Sequence, residues 1–299
     1  MLNLELLLTI ITLEKMNTTF SRKNLQLALT AGAVVTATAT LSPSAQAASF
    51  NLDFNSGADG GQVMTKADGT LVTTQWIDWG LEDISGYNKR TKKAAKLNLY
   101  NTDIHGGRDG DLETGSLWGT ASQGNALIIQ EQDGKSFSNG LYTADDEARG
   151  GNIKFGFAKA VALNSFSLLD IDDNGGGIRV VGFDQDENKV LNIDVDSLIA
   201  EHKTLNGVGA VAQGKSVTLD GVTLTQMGNR QGDNSFFKFD LADTHLAQVR
   251  FDYPGSGAIA GLEWSDGDES TEVPEPSAMA GLLMIGAMGA RKLKRQSAS

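Results

Sequence analysis

Short runs of alternating apolar and polar residues make up most of the chain, and Gly, Asn and Asp separate one run from the next. A period of two is typical of strands with one buried face, and the Gly, Asn and Asp residues between the runs are typical of turns. Only residues 195–203 have a helical pattern, and it is a short one. The predicted strands cover residues 50–54, 96–100, 126–130, 152–157, 161–169, 178–183, 190–195, 217–224, 236–239, 247–253 and 258–264.

The number and spacing of these strands predict an all-β fold, an antiparallel β-sandwich or jelly roll. Pro254 is the single proline of residues 48–265 and falls at a strand end, where a missing N–H is tolerated. No internal repeat or linker divides this region. We therefore expect one β-sandwich domain over residues 48–265, followed by an acidic linker over residues 266–272.

The N-terminal segment is typical of a secretory signal peptide. Arg22 and Lys23 form a basic region ahead of a mostly apolar run, and Ala45 and Ala47 provide the small residues of a cleavage site. We predict a signal peptide over residues 1–47.

Met16 is the start that we favour, since residues 1–15 would lengthen the apolar leader awkwardly. The alternative for the apolar run over residues 25–41 is a buried helix. In the signal-peptide interpretation the Sec translocon exports the chain, and the mature N-terminus is Ala48.

The C-terminal segment has three parts in a fixed order. Glu275 lies between Pro274 and Pro276, which hold it in an extended segment, and an apolar stretch over residues 278–290 follows. This stretch is shorter than the roughly 20 residues of a spanning helix, but snorkelling basic side chains can extend it. The chain closes on the basic residues Arg291, Lys292, Lys294 and Arg295.

A basic cluster after an apolar span keeps that end on the cytoplasmic side of a membrane. The pattern therefore predicts a transmembrane helix that holds the exported chain by its C-terminus. The alternative is an amphipathic helical tail packed on the domain.

Residues 273–299, with Val-Pro-Glu-Pro-Ser, a Gly/Ala/Leu/Met span and a basic terminus, resemble the PEP-CTERM sorting signal of Gram-negative bacteria. The resemblance implies that a membrane exosortase recognises Pro274, Glu275 and Pro276 and cuts nearby, with the basic residues as the stop. It also implies a transient inner-membrane intermediate and delivery to the cell envelope or an extracellular exopolysaccharide matrix.

The body of the chain is similar to the extracellular domains that often precede such tails. The resemblance implies a jelly-roll-like β-sandwich and no particular activity. The similar segments are residues 50–54, 124–131, 145–151, 165–172 and 255–259.

The composition of the chain argues against several classes of function. The formal net charge of -12 opposes phosphate-backbone binding, so we expect no nucleic-acid partner. The absence of Cys excludes disulfides, thiolate metal sites and cysteine nucleophiles. Three scattered His residues offer neither a metal triad nor a nucleophile relay.

The acidic loops contain the candidate ligand-binding residues, and calcium is the one cofactor that they suggest. Asp170, Asp172 and Asn174 occupy the first, third and fifth positions of a calcium loop with Gly175 at the sixth. Position 12 is Val181 instead of a bidentate Glu, so a simple turn, which favours the same residues, remains the alternative.

Two other loops carry acidic residues. Asp109 and Asp111 lie in one, together with Asp103, and a second loop contains residues 145–147. Oxygen ligands from separate loops suit calcium, which accepts six to eight of them in flexible geometry. The alternative is that these are solvated loops of an acidic protein.

Aromatic side chains could stack on sugar rings if one sheet exposed a row of them, although aromatic residues are usually core. Trp76 and Trp79 are three apart, so in a strand they face opposite ways. The candidates are Trp76, Trp79, Tyr87, Tyr100, Trp118 and Tyr142.

The sequence therefore predicts a non-catalytic exported protein of the cell envelope or matrix, structural or adhesive, and calcium-dependent if the acidic loops bind that ion. The first alternative is a carbohydrate-binding module of the matrix. The second is a secreted glycoside hydrolase, which would need two buried carboxylates facing a cleft.

Overall fold

The computed structural model describes residues 48–57, 61–63, 69–105, 109–131, 144–171, 177–230 and 233–266. All of them belong to one compact unit. The described residues form one α-helix, α1 (Val195–Asn206), and thirteen strands. The strands are β1 (Ser49–Leu52), β2 (Thr70–Leu71), β3 (Leu81–Asn88), β4 (Lys93–Ala94), β5 (Leu97–Asn101), β6 (Asn125–Ile129), β7 (Gly151–Leu169), β8 (Arg179–Phe183), β9 (Lys189–Asp194), β10 (Ser216–Leu219), β11 (Val222–Gln226), β12 (Phe236–Tyr253) and β13 (Ala258–Asp266).

The strands pair antiparallel throughout and form one continuous sheet. The main path through it runs β10-β11-β12-β7-β13-β6-β5-β2. The predicted all-β, antiparallel class is confirmed.

The two long strands, β7 and β12, fold this sheet over on itself. Phe239 and Phe251 are twelve residues apart on β12, which is about 40 Å along a straight strand. Both nevertheless contact Phe166 of β7, at ring-centroid distances of 4.7 and 5.2 Å. The strand must therefore bend back, and its register with β7 shifts between Asp240 and Thr244 and between Leu246 and Gln248.

The bend divides the sheet into two layers that share β7 and β12. One layer joins the start of β12 and the end of β7 to β11 on one side and to β13 on the other. The other layer joins the start of β7 and the end of β12 to β3 and β8. The large apolar core contains side chains from both layers, including Phe155, Phe166, Phe251 and Trp264.

The sequence pattern predicted only the ends of the two long strands. The predicted runs 152–157 and 161–169 are the two ends of β7, and 236–239 and 247–253 are the two ends of β12. The predicted run 217–224 is a hairpin, with its turn at Asp220 and Gly221 in left-handed backbone. A bend interrupts the period of two without ending the strand, and a tight turn joins two strands within one apolar run.

Strand β3 was not predicted, for the same physical reason. Its register with β7 shifts between Leu81 and Asp83, which places an extra residue in the strand. A bulge of this kind moves the next side chains to the opposite face, so Leu81 and Ile84 lose simple alternation.

The predicted helix is confirmed as α1. Asp194 caps it by accepting a hydrogen bond from the Ser197 N–H at 3.2 Å. Its buried residues, Val195, Leu198, Ile199 and His202, follow the spacing of one helical face.

Within the described part of the chain, no helix has the length and apolarity needed to cross a bilayer. The predicted signal peptide, with Ala45 and Ala47, lies outside the described residues. So does the sorting segment, with Pro274, Glu275, Pro276 and the basic residues Arg291, Lys292, Lys294 and Arg295.

Candidate functional site

A second, smaller apolar cluster positions the acidic loops at one end of the sandwich. It packs Leu112 and Ala144, which come from the loops, against strand residues such as Tyr100 and Phe236. The Tyr100 hydroxyl donates to the Asp109 carbonyl at 2.6 Å, and Thr102 and Thr114 join through their hydroxyls at 2.7 Å. The loop that follows β5 is therefore fixed against the sheet instead of being free in solvent.

Asp109 and Asp146 come together at this end although 37 residues separate them. The Asp146 backbone N–H donates to Oδ2 of Asp109 at 2.8 Å. The Gly257 backbone N–H in turn donates to Oδ2 of Asp146. Both aspartates are buried, with 6 % and 7 % of their surface exposed.

Asp111 completes this group, which we name the aspartate cluster (Asp109, Asp111 and Asp146). Asp111 lies close enough to the Asp109 carboxyl to contribute to the raised pKa of Asp109. The carboxyl oxygen Oδ1 of Asp111 is buried and has no hydrogen-bond partner in the described residues. Asn234, just before β12, supports the loop, since its N–H donates to the Asp111 carbonyl at 2.8 Å and its side chain to the Gly110 carbonyl at 2.8 Å.

The electrostatics of the cluster are unfavourable for bare negative charge. Burial, and then the charge of Asp146, hold the pKa of Asp109 far above its ordinary value. Burial also raises the pKa of Asp146, although the hydrogen bond from Gly257 acts in the opposite direction. In the described part of the chain, no Lys, Arg or His forms an ion pair with a member of the cluster.

Tyr253 lies beside the cluster at the end of β12. Its ring carbon Cε1 is 3.0 Å from the position that a Cβ atom on Gly257 would occupy. Its hydroxyl is buried and has no hydrogen-bond partner in the described residues. Burial, and then the charge of Asp146, raise the pKa of this phenol well above its ordinary value.

Of the predicted calcium-loop residues, only Asp170 is described, because Asp172 and Asn174 lie outside the described residues. Asp170 is fully buried at the end of β7, and its N–H donates to the Ser235 carbonyl at 2.9 Å. Its own carbonyl oxygen lies 3.3 Å from the Cβ position on Gly257. The backbone of Asp170 thus adjoins the aspartate cluster through Gly257.

The cluster is not a preformed metal centre. Among the residues that the structure describes, no group of three or more His, Asp or Glu side chains converges in a way that could hold a metal ion. Any cation at this position would need a side-chain movement or further oxygen ligands.

Sequence reasoning named the two acidic loops but missed Tyr253 and Gly257 as their neighbours. Gly257 adopts a φ of +139°, which favours glycine, and so brings its N–H to Asp146. The Pro254-Gly255 pair after a strand marks a turn in the sequence. It does not reveal which loop that turn would contact.

The aromatic candidates do not form an exposed row in the described residues. Trp76 and Tyr100 are buried, and the Trp76 indole donates to the Ser56 carbonyl at 2.6 Å. Trp79 and Trp118 are half-buried, and Tyr87 is 40 % exposed. Tyr142 lies outside the described residues.

A polar cavity of about 360 Å³ opens near the end of β5. Several of its side chains are already engaged in hydrogen bonds, such as Asn55 with Gln123 and Asn125 with the Val63 carbonyl. Its walls are mostly amide, hydroxyl and carboxyl groups, with one apolar side chain. The lining residues are Asn55, Gln62, Val63, Asn101, Asp103, Ser122, Gln123, Gly124 and Asn125.

Comparison with known proteins identifies no family for this chain. No protein-family model matches the chain. No curated protein matches it either. Among solved structures, the chain shows 10 % identity to a fucose-binding module of Streptococcus pneumoniae, over 57 % of this chain and 92 % of that one, with a TM-score of 0.22. At that TM-score the likeness supports no statement about fold or ligand.

Proposed function

We propose that the chain is an exported protein with a jelly-roll-like β-sandwich, which an exosortase sorts to the cell envelope or exopolysaccharide matrix of a Gram-negative bacterium. There it acts without catalysis, as a structural or adhesive component. The observation that carries the proposal is the order of three elements in residues 273–299: the Pro-Glu-Pro motif, the apolar stretch and the basic cluster. The leader over residues 1–47 supplies the matching export signal.

The residue types of the tail support a transient membrane anchor. The apolar stretch stops in the membrane, and the basic cluster remains on the cytoplasmic side. Pro274 and Pro276 keep Glu275 extended and out of any helix, so that a membrane protease can reach it. Cleavage near this motif separates the folded domain from the anchor and releases it to the surface.

The test is a triple substitution in the motif, P274A/E275A/P276A. We expect this variant to be exported but retained in the membrane fraction at uncleaved mass, because the apolar stretch remains attached. The matched control is D268A/E269A/E272A, which changes three residues of the neighbouring linker and leaves the motif intact.

Cell fractionation and intact-mass measurement distinguish the outcomes. The wild type and the linker control should reach the surface or medium without the tail. Release of the motif variant at the same processed mass would show that the tail is not a sorting signal of this kind.

Carbohydrate binding is the second candidate, and the polar cavity is the observation that favours it. Its side-chain amides, hydroxyls and one carboxylate, Asp103, are groups that hydrogen-bond sugar hydroxyls. We expect Q62A/N101A to weaken retardation of the protein in gels containing the host exopolysaccharide. Tyr87→Ala should leave it unchanged, since no aromatic row surrounds that residue in the described part. Equal retardation of all three proteins would exclude the cavity as the sugar site.

A further inference from the structure

We propose that one exposed apolar patch of the domain docks on the surface of an anionic lipid bilayer. The patch, which we name the loop patch, consists of Leu117, Val208, Val211 and Met227. This inference concerns the described domain and does not depend on how the protein is sorted. It rests on the contacts that bring three segments together, on the exposure of these side chains and on the basic residues beside them.

Three segments of the chain meet at the loop patch, and hydrogen bonds join each of them to the next. The segments are residues 115–120, 207–215 and 226–230. The Gln213 side chain donates to the carbonyl of Gly119 and, at 3.4 Å, to that of Met227. The Asn229 N–H donates to the Trp118 carbonyl at 3.2 Å. The backbone therefore holds the three segments side by side.

The side chains of the loop patch are unusually exposed for their residue types. Of the ten large hydrophobic side chains that are well exposed in the described residues, these three short segments contain four. Single exposed apolar side chains are ordinary, but several on adjoining segments mark an interaction surface. Their exposed fractions are 67 % for Leu117, 58 % for Val208, 66 % for Val211 and 38 % for Met227.

The charge beside the loop patch is positive, although the chain as a whole has a formal net charge of -12. The three segments contain two basic residues, Lys215 and Arg230, and no Asp or Glu. The Arg230 guanidinium lies over the Trp118 ring, 5.0 Å from its centroid, and forms no ion pair within the described part of the chain. This face is therefore complementary to an anionic partner.

A lipid bilayer matches the apolar side chains and the positive charge together. Leu, Val and Trp side chains bury favourably at the boundary between headgroups and acyl chains, and Lys and Arg contact anionic headgroups. A soluble acidic polysaccharide would match the charge but would leave Leu117 and Val211 exposed to water. A second copy docked patch to patch would place Arg230 near its own equivalent, because such an interface is two-fold symmetric.

The test places one fluorescent label on the full-length chain, which contains no Cys. V211C carries nitrobenzoxadiazole in the loop patch, and I77C carries it at an exposed apolar position outside the patch. On phosphatidylglycerol vesicles we expect a blue shift, and quenching by spin-labelled lipid, for the label at 211 and not for the label at 77. Phosphatidylcholine vesicles should give a much smaller change. If residues 278–290 also insert, they tether both labelled proteins alike.

Substitution of the two cations tests the contribution of charge. With the label at residue 211, K215Q/R230Q should weaken the lipid partition of the label by about tenfold or more, because each basic residue near an anionic surface contributes about fivefold. The control K92Q/K93Q removes two exposed positive charges elsewhere and should keep the partition of the parent protein. An unchanged melting temperature shows that both variants are folded.

A second pair of variants tests the apolar contribution. L117Q should weaken partition by about fivefold, whereas L71Q, at another exposed leucine, should not. A label at 211 that stays as accessible to water on anionic vesicles as the label at 77 would overturn the proposal. So would equal partition of K215Q/R230Q and its control. A blue shift that grows with protein concentration without lipid, or that polygalacturonate produces and lipid does not, would assign the patch to self-association or to an acidic polysaccharide instead.

Discussion

Phe166→Ala is the substitution that most directly tests the folded-over sheet. Phe166 is 1 % exposed and lies in β7, stacked on Phe239 at 4.7 Å. Its ring also meets the edge of Phe251 at 5.2 Å, across the two layers. The substitution therefore removes a contact within one layer and a contact between the two layers.

The expected loss in the free energy of unfolding is about 4 kcal/mol, in the range for truncating a buried Phe to Ala. That is a large part of a total stability of about 5–15 kcal/mol. For a domain of this size it lowers the melting temperature by about 8–16 °C. Phe166→Leu, which keeps most of the apolar volume, should lose less than half as much.

Urea unfolding followed by tryptophan fluorescence measures this loss, with an unchanged m-value showing that the unfolding transition remains comparable. The control is Phe50→Ala on β1, because Phe50 is half-buried and stacks on Trp264 alone in the described residues. A Phe166→Ala loss below about 1 kcal/mol, or one no larger than that of Phe50→Ala, would contradict the two-layer packing.

Three further predictions concern residues outside this aromatic packing. Gly150→Ala should destabilise the protein strongly in thermal unfolding, because the new Cβ would lie 2.3 Å from the Tyr253 carbonyl oxygen and Gly150 has a φ of +67°. In an alkaline absorbance titration, Tyr100 and Tyr253 should stay protonated above pH 10 while folded, because burial raises the pKa of both. Their raised pKa values contribute stability that is present below about pH 10 and is lost as the pH rises further. Asn125→Ala should cost about 1–3 kcal/mol in urea unfolding, because it leaves the buried Phe54 carbonyl and the part-buried Val63 carbonyl without their donor.

The alternation of side chains was sufficient to predict most of the strands, although not β3, because alternation depends only on which face is buried. It did not predict that residues 152–157 and 161–169 are one strand. The register with β12 shifts between these two runs, and such an irregularity changes the exposed face without ending the strand. The fold-over therefore follows from contacts such as Phe166 with Phe251, which are distant in sequence.

The candidate site shows the same limit. The sequence placed acidic residues in separate loops, and Asp, Asn and Gly in a loop are compatible with a turn or with calcium. Which loops meet depends on the sheet order, which brings the loop before β7 and the turn before β13 to the loop after β5. The neighbour Tyr253 could not be identified earlier, since a Tyr at a strand end has no distinctive pattern.

The buried aromatic residues show a limit of a different kind. Trp76 and Tyr100 were candidates for sugar stacking because of their residue type alone. In the structure the Trp76 indole and the Tyr100 hydroxyl both donate to backbone carbonyls from buried positions. Trp and Tyr, which have an N–H or O–H group, occur in cores as readily as in binding faces. Residue type alone therefore cannot distinguish the two.

We propose that the chain is exported and then released from a C-terminal anchor. The most direct measurement is the intact mass and terminal sequence of the protein recovered from the cell surface or matrix. We predict a form that begins at Ala48 and ends close to the Pro274–Pro276 motif, without the apolar stretch and the basic cluster. A surface form that retains residues 1–47 or the complete tail, or a chain found only in the cytoplasm, would contradict the account.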